Sequence, residues 1–175
     1  MKYNVFNTIL AVCLGLLASL PLRAADVKLT DLTDLQTDAN HAEQQQLPIL
    51  VMFSASYCSY CSIVKDEFLK PMLLSGDYTD KVIIRVLEID SGDDIRDLDG
   101  NLVDPAVVAD RYNIQLTPTL AFVGANGEEL SERMIGVTTI DFYGGYLDDA
   151  IKQSLKRLRG NNTLSQNQQA STPRL

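Results

Sequence analysis

Two cysteines three positions apart, in Cys58-Ser59-Tyr60-Cys61, are the residues of this chain best suited to chemistry. On a helix that spacing puts both sulfurs on one face, close enough to bond to each other and to trade that bond with another disulfide. A sulfur at the start of a helix meets unsatisfied N–H groups and the positive end of the helix dipole, which favour thiolate over thiol. Cys58 takes that place if a helix begins there. Cys61 is then positioned to attack a mixed disulfide formed on Cys58 and release the product.

Other uses of such a pair ask for residues this chain lacks. A c-type haem site needs His directly after the second cysteine, where Ser62 stands. Zinc needs four ligands, and His41 is the sole histidine, upstream in a polar stretch where a solvated side chain is the expectation. A Cys–His nucleophile would require His41 brought close, and no local motif supports it. A permanent structural disulfide remains the competing reading. The acids between Asp93 and Asp104 do not follow a calcium-loop pattern, since Ile95 and Ala106 stand where the first and last acids belong, and they read as a solvated loop. No metal and no cofactor is expected.

The elements that must position the pair are legible from patterning. Ile49-Leu50-Val51-Met52-Phe53 is a short apolar run ending at Ser54-Ala55-Ser56, the pattern of a strand buried on both faces. Cys61 to about Leu74 reads as an amphipathic helix, with a kink or early end at Pro71. Before them, Leu29, Leu32 and Leu35 predict a leading helix that ends near Pro48. After them come a strand at Val82–Ile89, an acidic turn-rich excursion at Ser91–Asp104, and a helix capped by Asp104 with Pro105 in its first turn. Strands at Thr119–Val123 and Glu129–Ile135 flank a turn at Gly124–Gly127, and a last helix begins at Thr138 or Thr139. The order predicts an α/β fold with a central mixed sheet and helices on both faces.

The chain has 175 residues, enough for one domain with a core. Residues 1–24 read as an export signal: Lys2, an apolar run from Ile9 to Ala18, Pro21, and small Ala24 before the cut, with retention as an uncleaved N-terminal anchor the competing reading. Cys13 leaves with that segment, so residues 25–159 form the domain and carry only Cys58 and Cys61. From Gly160 to Leu175 the composition predicts a disordered polar tail. Cleavage also removes Lys2 and Arg23, making the chain more acidic than its formal −8. Such a surface suits neither nucleic acid, whose phosphates demand a basic footprint, nor an anionic membrane. Export places the pair in an oxidising compartment, the periplasm.

Four motifs in order resemble the thioredoxin superfamily. Val51 to Cys61 resembles its strand-into-active-site segment, and Tyr112-Asn113-Ile114-Gln115-Leu116-Thr117-Pro118-Thr119-Leu120 its cis-proline loop. Gly127-Glu128-Glu129 and Met134-Ile135-Gly136 resemble its hairpin turn and the glycine after the last strand. The resemblance spans about Leu47 to Leu158. It implies a thioredoxin fold, thiol–disulfide exchange through Cys58 and Cys61, and a cis Thr117–Pro118 bond facing the dithiol. Tyr57, Tyr60, Thr117 and Pro118 would then contact an extended substrate strand paired by backbone hydrogen bonds.

The departures from cytoplasmic members are specific. Met52 stands where they carry a buried Asp, Val86 at their usual Lys, and Tyr57 at their Trp. In that family the buried acid serves the resolving cysteine, so the proton route to Cys61 is left open between water and Glu88. These features resemble exported relatives, the sulfur-oxidation-associated periplasmic thioredoxins of the SoxW type. Dimeric isomerases carry an added N-terminal domain and oxidases a helical insertion; neither has room here before Pro48 or between Cys61 and Pro118. The resemblance therefore implies a monomeric reductase acting on disulfide-containing or dithiol proteins and recharged by a membrane-bound thiol donor. A binding module with an inert disulfide, an oxidase or isomerase, and a peroxide-reducing thiol enzyme are the alternatives.

Overall fold

A strand apolar on both faces is stable only where both faces are covered, and the run after Pro48 is such a strand. The computed structural model of the chain describes residues 27–170, with side chains over 27–160, and buries this run between two helical layers. Residues 1–26, which include Cys13 and the segment read from sequence as an export signal, and residues 171–175 lie outside the described residues. β1 (Ile49–Ser54) is buried at every position and lies inside a four-stranded sheet. β2 (Ile83–Glu88) runs parallel to it on one side and β5 (Thr119–Val123) antiparallel on the other; β6 (Met134–Ile135) pairs antiparallel with β5. The register sets Met52 beside Val86, Phe53 beside Leu87 and Ser54 beside Glu88.

Alternation along the strands assigns each helix to a face. Arg85 and Phe53 point to one side. There Arg85 donates to both carboxylate oxygens of Asp38, at 2.8 and 2.6 Å, from α1 (Leu35–Gln45). Phe53 meets the Tyr112 ring at 5.8 Å, at the end of α4 (Pro105–Arg111). Glu88 points to the other side and pairs with Lys65 of the helical segment that follows Cys58. That segment in turn sets Phe68 against Tyr143 of α5 (Ile140–Ala170), with ring centres 4.8 Å apart. A mixed sheet with two helices on each face results. No described helix is long and apolar enough to cross a membrane.

Pro71 neither ends nor breaks its helix. Proline has no N–H for the carbonyl four residues back and its ring collides with it, which here is Glu67. The segment runs as α2 (Ser59–Val64), a π turn over Lys65–Leu69 and α3 (Lys70–Ser75), with the Lys70 amide reaching back to Lys65 O. The wider turn takes up the mismatch ahead of Pro71.

Four other elements differ from expectation. The leucines at 29 and 32 belong to an extended segment: Leu32 N donates to Val86 O and Val86 N to Thr30 O, so this stretch lies along the edge of β2 and the helix starts only at Leu35. All three leucines are buried, which leucine spacing alone reads equally as a helix face. The strand expected at Glu129–Ile135 shrinks to β6 and a bridge between Val123 and Glu129, because Arg133 turns to pair with Glu129 and to donate to Tyr112 O. The helix α5 passes Gly160, where composition placed the start of a disordered tail, and its backbone continues to Ala170. A single glycine costs about 1 kcal/mol, Asn, Gln and Ser propagate an established helix, and no proline intervenes before Pro173.

The excursion after β2 is also more ordered than a solvated loop. β3 (Ile95–Arg96) and β4 (Leu102–Val103) form a small hairpin, and Asp97 at its turn is fully buried. Its carboxylate accepts from the amides of Asp99 (3.0 Å) and Asn101 (2.8 Å) and from Arg111 (2.8 Å). Burial pushes its pKa up, and the Asn101 amide, the Arg111 guanidinium and the Asp99 amide together outweigh it, holding the carboxyl below the usual range. A lowered folded-state pKa contributes stability above the unfolded value of about 3.9 and loses it as pH falls through the folded value. Asp97→Asn therefore flattens the fall in stability below about pH 4, read from urea midpoints at successive pH values; an unchanged acid limb would contradict the assignment.

Candidate functional site

Ser54-Ala55-Ser56 carries the chain off the end of β1 and into α2, and Cys58 is the residue that caps that helix. Its backbone is extended, φ −92° and ψ 98°, and its amide donates to Ala55 O at 3.1 Å. The Cys61 amide points back at Cys58, 3.1 Å from its Sγ and 3.1 Å from its carbonyl oxygen. The two sulfurs are bonded, at 2.07 Å, with Cα atoms 5.3 Å apart. The sulfurs differ in access: Cys58 is partly exposed, whereas Cys61 is 1% exposed and belongs to the core.

The turn ahead of Cys58 is tied to the end of β2. Asp90 receives the Ser56 amide on both oxygens, at 3.0 and 3.1 Å, and the Ser56 hydroxyl at 2.6 Å. That hydroxyl and then that amide hold the Asp90 carboxyl below the ordinary range.

The other wall comes from the loop before β5. The Thr117–Pro118 bond is cis, and Pro118 O accepts from Gly136 N at 2.7 Å. Gly136 sits at φ +65°, a backbone conformation that favours glycine. The Thr119 hydroxyl donates to Leu116 O at 2.7 Å and fixes the loop from within.

Between these walls is a cleft of about 340 Å³ that brings together Cys58, Tyr57, Tyr60 and Thr117. Pro118 is buried behind it and does not line it. Tyr57 and Tyr60 are 80% and 57% exposed. Sequence reasoning missed Ile89, Ile114, Gln115 and Leu116, which complete the lining. Leu116, 54% exposed beside Pro118, is the one whose apolar character in a loop was a readable sign. His41 is exposed on α1, and among the described residues no group of three or more His, Cys, Asp or Glu is placed to hold a metal ion.

A family model described as a thioredoxin-like domain matches residues 35–151. No curated protein matches the chain. Among solved structures, a DsbH oxidoreductase is 17% identical, with 79% of this chain and 94% of that chain covered and a TM-score of 0.51. Mitochondrial thioredoxin 3 of Saccharomyces cerevisiae, in its oxidised form, is 20% identical over 71% of this chain and 93% of that one, with a TM-score of 0.48. Fasciola hepatica thioredoxin is 19% identical over 72% and 99%, with a TM-score of 0.46.

The Asp90 clamp titrates in a defined direction. It is complete above the lowered pKa of Asp90 and is lost as pH falls through it. The Ser56 amide proton shift is expected to follow that titration with a midpoint below about 3.9, and Asp90→Asn to abolish it. A midpoint at or above that value would show that the clamp does not hold in solution.

Proposed function

The chain belongs to the thioredoxin-like domain family, and from that premise we propose that it is a thiol–disulfide oxidoreductase working through Cys58 and Cys61, most simply as a reductase. The observation that carries the reading is the unequal access of the two sulfurs: Cys58 at the mouth of a cleft, Cys61 sealed behind it. An inert staple has no need of that asymmetry.

In the reduced protein, Cys58 thiolate attacks one sulfur of a substrate disulfide and the other leaves as a thiolate, which takes a proton from water. Cys61 then attacks Cys58, re-forming the Cys58–Cys61 bond and freeing the second substrate thiol. The Cys61 N–H directed at the Cys58 sulfur, together with the helix start, favours the anionic sulfur at position 58. Thr117 beside the thiols offers backbone to an extended substrate segment, with Tyr57 and Tyr60 as exposed contact surface. Protein disulfides are the proposed substrates. The apolar segment at 1–24 supports export to the periplasm, where a membrane-bound thiol donor would recharge a monomeric enzyme. Met52, Val86 and Tyr57 support the SoxW-type branch.

The reduced protein should turn over insulin disulfides with a dithiol donor, and Cys58→Ser should abolish turnover. Cys61→Ser should accumulate mixed disulfides on Cys58. Faster alkylation of Cys61 than of Cys58 would overturn the role assignment. A reduction potential far below about −300 mV with no insulin turnover would leave only the structural disulfide.

A further inference from the structure

The loop that walls the cleft on the proline side begins at the end of α4, and the residue that closes that helix is not the one such an end prefers. Asn113 has φ +50°; its amide donates to Asp110 O at 2.8 Å, and the Ile114 amide to Ala109 O at 3.0 Å. These two bonds close a helix around a left-handed residue, a position that glycine fills without strain. Asparagine costs more than glycine there, and the closing bonds make no use of its side chain.

That side chain is used two residues on. Asn113 Oδ1 accepts from Gln115 Nε2 at 2.9 Å, and Gln115 lines the cleft with Cys58 and Thr117. Both amides are exposed, so water competes for the bond and it adds little to the stability of the fold. Its effect falls on Gln115: a long side chain that would otherwise sample many rotamers is held in one. Gln115 Oε1 meanwhile has no hydrogen-bond partner among the described residues.

The rest of the lining sets this amide apart. In a chain with 23 acidic and 15 basic residues, the described residues around the cleft include no carboxylate, ammonium or guanidinium group. Apart from Cys58 they are aliphatic, hydroxyl-bearing or tyrosine, and Gln115 carries the one side-chain amide among them. An amide offers an acceptor and a donor side by side, the complement of a peptide group. When a ligand displaces water from the cleft, a polar group left without a partner is costly, and one already held in place loses less freedom on binding.

We propose that Gln115 selects the substrate: its side-chain amide, held by Asn113, hydrogen-bonds a main-chain peptide group of the polypeptide that flanks the substrate's half-cystine. The proposal rests on the oxidoreductase reading and adds what the cleft distinguishes, a disulfide carried on a polypeptide from a small-molecule disulfide. Gln115 contacts substrate in this scheme, and Asn113 is a positioning residue that acts through it. The bonds made and broken among the sulfurs are those given above, and neither amide gains or loses a proton.

Two disulfides offered to the reduced full chain separate polypeptide binding from exchange: insulin, and dithiodipyridine, which has no peptide group. Gln115→Ala should lower the ratio of the insulin rate constant to the dithiodipyridine rate constant about fivefold, the size expected for one neutral hydrogen bond. Asn113→Gly keeps the left-handed turn and so the helix end; it should lower the same ratio about twofold without lowering the urea midpoint. In the Gln115→Ala background Asn113→Gly should lower it no further, because the two side chains act as one unit. A native ratio in Gln115→Ala overturns the proposal, as does an equal loss from Asn113→Gly with and without Gln115. Failure of the oxidoreductase reading looks different: the reduced native chain would leave insulin intact, or its reaction with insulin would survive Cys58→Ser.

Discussion

β1 has no solvent face, and the placement of everything that concerns function follows from that. Its six residues are buried at every position, held by parallel bonds to β2 on one side and antiparallel bonds to β5 on the other. A strand enclosed in this way leaves the core only at its ends. The chain must emerge at Ser54, turn through small residues and start a helix, and Cys58 is where that helix is capped. The neighbouring strands contribute their own ends at the same level: Asp90 after β2 braces the turn, and Pro118 before β5 brings its loop opposite. The cleft is thus the common edge of three strands, in keeping with the tendency of open α/β sheets to place their sites beyond strand ends.

The second consequence is asymmetry within one disulfide. Three residues of helix carry the chain from the rim inward, so the first sulfur borders the cleft and the second joins the core with Val64 and Leu69. Burial costs a thiolate more than a thiol, whereas the rim position with amides aimed at it does the reverse. The same geometry that makes Cys58 available therefore makes Cys61 dependent on its surroundings.

Much of this was readable before any coordinates. The apolar run at Ile49–Phe53, the second run ending at Glu88 and the Asp104-Pro105 start are local signals, and each forms within a residue or two of its predicted place. Three of the misreadings share one cause. Leu29 and Leu32 look like a helix face, yet they bury themselves by lying along β2; the hairpin strand after Gly127 is cut short by Arg133 reaching to Tyr112 O; and Asp97 sits buried because two amides and Arg111 converge on it. In these three cases a partner farther off along the chain, Val86, Tyr112 or Arg111, took part in the outcome.

By itself the sequence determined that a cysteine pair would cap a helix at the end of a fully buried strand, because hydrophobic periodicity, turn residues and cysteine spacing act over neighbours within a few residues. Only the tertiary structure decided which sulfur is sheltered, that Ile89, Ile114 and Leu116 line the cleft with Tyr57 and Tyr60, and that Glu88 meets Lys65 beside Ser54. Those pairings depend on strand register and on which helix covers which face, and register is set by the packing of whole elements against one another.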